Sequence, residues 1–146
     1  MITLTEFFET DHKRLDLLLA QFKACLDHDK PRAIGLFQAF ESGLRTHILW
    51  EETVLFPFFE RKSQFSHGPT HVMSNEHIAI LNLVSQLQQS LTGDINTTLM
   101  LYDELANQLT QHNHKEENIL YPLVDKNASE SDRSLMFMIM ETGQVA

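Results

Sequence analysis

The sequence predicts an all-α fold: an antiparallel up-down-up-down four-helix bundle with an internal two-fold repeat and a short fifth helix near the C-terminal end. Three observations predict it. Apolar residues recur at steps of three and four almost throughout, the period of helices that bury one face. Stretches rich in turn-forming residues divide the chain into four long segments with short connections, which favours antiparallel neighbours. Landmarks of the first half also recur 65 positions later in the second.

Residues 1–146 are read as one domain, long enough to bury a core without disulfides. The first helix, about 3–27, opens on T-L-T-E, a capping box from Thr3 to Glu6, and turns Phe8, His12, Leu15, Leu19 and Phe22 inward. The second, about 31–60, starts at Pro31 and carries Phe37, Phe40, Leu44, His47, Glu51, Val54 and Phe58 on its stripe. Pro57 predicts a kink or an end within about a turn of it. S-Q-F-S-H-G-P-T, from Ser63 to Thr70, is the clearest loop. The third helix, about 70–91, points Met73, His77, Ile80, Val84, Leu87 and Leu91 inward. Asp94 then caps a fourth, about 94–126, with Tyr102, Leu105, Leu109, His112, Glu116, Ile119 and Leu123 inward. Leu135 to Met140 form the packing face of the fifth.

Composition narrows the function classes. At 42% hydrophobic, with five Gly and four Pro, the chain is neither disordered nor fibrous. A net charge of -9 argues against a nucleic-acid partner, which needs basic patches. No basic-then-apolar leader precedes residue 30 and no apolar run approaches ~20 residues, so no membrane partner is expected. A lone cysteine, Cys25, forms no internal disulfide and fits a cytoplasmic location.

The chemistry lies in two stretches, HILWEETVLFP at 47–57 and HNHKEENILYP at 112–122. His47-x-x-x-Glu51 and His112-x-x-x-Glu116 each place an imidazole and a carboxylate on one helix face, about 40° apart. His12 and His77 lie on the inward stripes of the other two helices. The pairs His12/His77, His47/His112, Glu51/Glu116 and Pro57/Pro122 all share the 65-position offset, and D-H-K-R-L stands beside E-H-I-A-I. One histidine on an apolar stripe is ordinarily a hydrogen-bonded core residue. Two buried carboxylates are different: each uncompensated charge costs several kcal/mol, and no Lys or Arg occupies the seams near them. Bound cations would compensate. Six donors exceed the four of a structural zinc site, and two equal halves point to two divalent ions bridged by both carboxylates. Mixed imidazole and carboxylate donors suit iron first, with manganese or zinc compatible.

These residues, in this order and helical phase, resemble the hemerythrin-like, or HHE cation-binding, domain family over nearly the whole chain. The first His, H-x-x-x-E, third His and second H-x-x-x-E of that family are met by His12, His47/Glu51, His77 and His112/Glu116, and G-P-T-H-V-M-S-N-E-H is similar to bacterial members. The resemblance implies a four-helix bundle holding two iron ions in a non-haem diiron centre. Oxygen-carrying hemerythrins have a further histidine one turn before the third; Met73 stands there. His71, Glu76, His67 or another loop oxygen are the candidate substitutes. Glu52 and Glu117 are expected to be solvated or to support the ligands, and His114 and His28 to be exposed. Trp50, Phe56, Phe58, Phe59, Tyr121 and the C-terminal methionines read as packing.

The resulting expectation is a protein that binds or senses a small diatomic ligand, dioxygen or nitric oxide, with an unidentified redox partner. The alternative is a diiron enzyme or iron-delivery factor in stress defence or iron–sulfur repair, as in some bacterial relatives. The sequence starts directly at its first helix, without the cysteine-rich region of some repair proteins, which is expected to weigh against repair. A structural zinc protein is the second alternative.

Overall fold

The computed structural model of the chain describes residues 2–63 and 68–143. Among these every regular element is helical: α1 (Leu4–Cys25), α2 (Lys30–Trp50), α3 (Phe56–Lys62), α4 (Pro69–Ser90), α5 (Ile95–Lys115), α6 (Tyr121–Asn127) and α7 (Glu130–Thr142). A π-turn, Glu51–Leu55, joins α2 to α3 without a break, and another, Glu116–Leu120, joins α5 to α6. The seven α-helices therefore make five rods. Four of them pack as a bundle would, with α1 against α2 and α4 against α5 as the main pairings. The α1–α2 approach is close at Gly43, where a Cβ would stand 2.8 Å from Leu15 Cδ2.

Local chemistry explains the ends. The Thr3–Glu6 capping box is formed in full, and Asp29 and Asp94 cap α2 and α5 through side-chain bonds to backbone amides. The first amides of α1 have a second partner far along the chain. Leu4 N and Thr5 N each donate to the Asp125 carboxylate at 2.9 Å, which ties the start of α1 to α6. The fifth rod, α7, is longer than its apolar patch predicts because a Ser129–Asp132 capping box starts it.

The distortion expected at Pro57 is a π-turn: the helix widens just before the proline and then ends at Lys62. Pro122 follows the other π-turn in the same way. A proline ring clashes with the carbonyl four residues back, and a turn closed by i→i+5 bonds accommodates it. The fourth inward stripe holds from Leu105 to Glu116 and then fails, since Ile119 is 54% exposed while Leu120, Tyr121 and Val124 are buried. One extra residue per turn shifts the helical phase after Glu116.

Buried apolar residues fall into two clusters. One contains Leu15, Phe22, Phe37, Phe40, Val84 and Leu105; the other contains Leu4, Phe8, Phe56, Phe59, Met73, Tyr121 and Met136. Between them along the rods lies a buried polar layer, His12, His47, Glu51, His77, His112 and Glu116.

Candidate metal centre

Each donor reaches this layer from a helix phase set by the apolar residues around it. His12 comes from α1, His47 from the last turn of α2, His77 from α4 and His112 from the last turn of α5. Glu51 and Glu116 are the first residues of the two π-turns, and both are fully buried. All six residues named from the sequence come together. Their donor atoms form two groups, Glu51–His77–His112–Glu116 and His12–His47–Glu116, which share Glu116. Glu116 Oε1 lies 3.2 Å from the Nε2 atoms of both His12 and His112. Glu51 Oε1 lies 3.2 Å from His77 Nε2 and 3.5 Å from His47 Nε2. Each carboxylate thus meets imidazoles of both halves.

The outward nitrogens are equally ordered. His12 Nδ1 pairs with Glu117 at 2.7 Å, His47 with Asp11 at 2.8 Å, His77 with Glu52 at 2.7 Å and His112 with Glu76 at 2.8 Å. In each neutral ring Nδ1–H donates to the carboxylate, which aims the Nε2 lone pair at the centre and raises its basicity. Arg14 bonds the far oxygen of Asp11, Lys115 that of Glu76, and Ser74 that of Glu52. Asp11/Glu76 and Glu52/Glu117 obey the same 65-position offset, so the repeat duplicates the supporting acids along with the donors.

The protonation pattern follows from crowding. Burial, then the charge of Glu116, pushes Glu51 up. Burial also acts to raise Glu116, but hydrogen bonds from Glu51, His112 and His12 outweigh it and hold Glu116 well below the usual carboxylate range. Without cations the two acids therefore behave as a pair that keeps one proton. Burial disfavours protonated imidazole, yet Glu116, Glu117 and Glu51 together lift His12 to about 9. His77 and His112 are raised against the same burial penalty by Glu51 and Glu116 respectively.

The donors fit metal ions. Glu51 Oε1, Glu116 Oε2 and His77 Nε2 are buried without a hydrogen-bond partner, a costly state for polar atoms unless something else binds them. Donors around one ion, each about 2.1 Å from it, stand about 3 Å apart, close to the spacings above. The cavity lined by these six residues and their apolar neighbours is about 10 Å³.

Of the candidates to replace the missing histidine, His71 is exposed and outside both donor groups, and Glu76 is turned to His112 and Lys115. His67 lies outside the described residues. Met73 is buried in the apolar cluster. His28 and His114 are exposed as expected. Tyr121, read from sequence as packing, belongs to the centre: its hydroxyl lies 2.6 Å from Glu51 Oε2 and 3.0 Å from Glu116 Oε1. Burial, with the charges of Glu116 and Glu51, raises this phenol well above its ordinary value.

A family model for the hemerythrin HHE cation binding domain matches residues 3–124, a span that includes every donor described. The chain belongs to that family. Within it, the chain is similar to proteins named iron-sulfur cluster repair protein YtfE from Yersinia pestis (strain Pestoides F) and Yersinia pseudotuberculosis serotype O:1b. Both are 41% identical over 104 residues, covering 63% of this chain and 47% of the relative. The chain thus spans about half the length of these relatives. No solved structure matches it at a significant level. The hemerythrin family and the buried His/Glu cluster together support a metal site of the iron-binding type. No described helix is long and apolar enough to cross a membrane.

Proposed function

We propose that this chain is a non-haem diiron protein, an antiparallel up-down-up-down bundle that serves iron–sulfur cluster repair by holding and supplying iron. The observation that carries the diiron reading is that two donor groups share Glu116, while Glu51 also meets imidazoles of both. His12 and His47 would hold one ion, His77 and His112 the other, and Glu51 and Glu116 would bridge. Similarity to the Yersinia repair proteins supports the choice of repair. An iron pair bound there would supply two redox-active, Lewis-acidic centres. The chain's own residues do the rest. Glu117, Asp11, Glu52 and Glu76 keep the imidazoles oriented, the two carboxylates offset the cation charge, and the flanking apolar clusters exclude water.

A second reading, binding or sensing of dioxygen or nitric oxide, is favoured by the apolar residues Phe56 and Met73 beside His77. The lone buried cysteine fits a cytoplasmic setting with a separate redox partner. Manganese or zinc in place of iron is decided by metal analysis after growth in ample iron. The functional test is anaerobic incubation of the iron-loaded protein with an apo iron–sulfur protein, cysteine and a sulfide source. Recovery of the cluster, lost in His77→Ala, is the expected result. No recovery, with a reversible absorbance change under oxygen or nitric oxide, would establish the second reading instead. Two zinc and no iron would contradict both.

A further inference from the structure

The 65-position repeat makes Phe56 the counterpart of Tyr121 and Met73 the counterpart of Phe8. Among these aromatic and apolar counterparts, only Tyr121 brings a hydroxyl to the centre. In the His12–His47 half, Tyr121 Oη stands 3.3 Å from His12 Nε2 and 3.4 Å from His47 Nε2, besides its contacts with Glu51 and Glu116. Phe8 stacks on its ring at 5.1 Å and fixes it there. In the other half Phe56 lies parallel to the His77 ring at 5.7 Å and brings no polar atom. Met73 is apolar, and the unpartnered atoms His77 Nε2, Glu51 Oε1 and Glu116 Oε2 gather in the group on that side.

A phenol has one proton to donate and two carboxylate oxygens, of Glu51 and Glu116, stand within reach of it, so hydrogen bonding accounts for only part of this placement. The three residues of one donor group, His12, His47 and Glu116, each place an atom 3.0 to 3.4 Å from the same oxygen, and Glu51 of the other group places one at 2.6 Å, near the spacing of ligands that share an ion, about 3 Å. Resting on the diiron reading above, we infer that Tyr121 Oη is a further ligand of the ion held by His12 and His47, and that an incoming small ligand binds at the other ion, between His77 and His112. On loading, the O–H bond breaks, its proton leaves to water, and an oxygen lone pair forms the bond to the metal. No electron is transferred. The site lacking the fifth histidine is thereby the open one, and the phenol closes the opposite half.

The test uses the full chain loaded with ferric iron, with iron content, resonance Raman spectra and azide titration measured on the same samples. The wild type is expected to hold two irons and show tyrosinate vibrations enhanced within a phenolate-to-iron absorption band. Tyr121→Phe loses that band. Phe56→Tyr adds a phenol to the open half and weakens azide binding roughly tenfold or more. Two irons with no tyrosinate signature in the wild type would overturn the inference and leave the diiron reading standing. Loss of the tyrosinate signature when azide binds would also overturn it. Absence of bound iron would overturn both.

Discussion

Every inward imidazole in this chain has a carboxylate behind it, and the inner and outer acids do different work. Asp11, Glu52, Glu76 and Glu117 sit at the rim and set ring orientation. Replacing Asp11 by Ala is expected to weaken iron binding by about 10- to 100-fold with the donor set intact, measured by competition with a chelator. Glu51 and Glu116 are not equivalent without metal. Glu51 is pushed toward its neutral form, so Glu51→Gln should leave metal-free stability nearly unchanged while removing iron. Glu116 is the ionised partner of His12 and His112, so Glu116→Gln should also cost about 3–5 kcal/mol of metal-free stability in denaturant titrations. His12 gives the pH dependence. Its folded value, about 9, lies above the ordinary 6.5. Its stabilising contribution is thus fully present below about pH 6.5 and is lost as pH rises through about 9, a decline of about 3 kcal/mol in the metal-free protein. Loading metal near neutral pH must displace that proton, so calorimetry in buffers of different ionisation enthalpy should register proton release. That these six side chains gather in one buried layer was legible in the sequence because residue type, order and spacing all agreed. Asp11 was visible only as part of the matching D-H and E-H pairs, and Glu76 was named as a candidate ligand in place of the support it gives His112, since an acid beside a histidine carries no sign of which ring it will meet.

At the scale of elements, the two π-turns decide what the site contains. In an unbroken α-helix the fifth residue after Glu116 stands about 140° away from it. Tyr121 would then face outward and Ile119 inward, as the straight period predicts. The π-turn returns position 121 to the inner face and turns Ile119 to solvent. Sequence reading failed here because Tyr121 and Phe56 share an aromatic–proline context that signals packing, while the change of period leaves no mark in apolar spacing. Deletion of the exposed Asn118 would make Tyr121 the fourth residue after Glu116, about 40° round an unbroken α-helix, so the rod can close as α with Leu120, Tyr121 and Val124 still facing the core. Little change in Tm is expected, whereas insertion of one residue there turns that face by about 100° and should lower Tm by on the order of 10 °C with loss of bound iron. The α1–α6 tie is independent of the metal. Asp125→Ala should cost about 1–2 kcal/mol and speed hydrogen exchange at Leu4 and Thr5, whether or not iron is present.

Across the whole molecule, two apolar clusters clamp a polar layer whose charges are incompletely matched by protein groups alone. The rods and their inward stripes followed from periodicity, and the two-fold repeat from the common offset. That repeat places two similar halves around shared carboxylates, and the single hydroxyl of Tyr121 breaks their equivalence. Its relatives are about twice as long as the part this chain matches. The most direct measurement is anaerobic reconstitution with ferrous iron, followed by removal of loose metal, iron analysis and Mössbauer spectroscopy after oxidation. Two irons per chain, magnetically coupled and lost together in Glu116→Ala, are predicted. A single isolated iron, or full occupancy retained in that variant, would contradict a bridged pair.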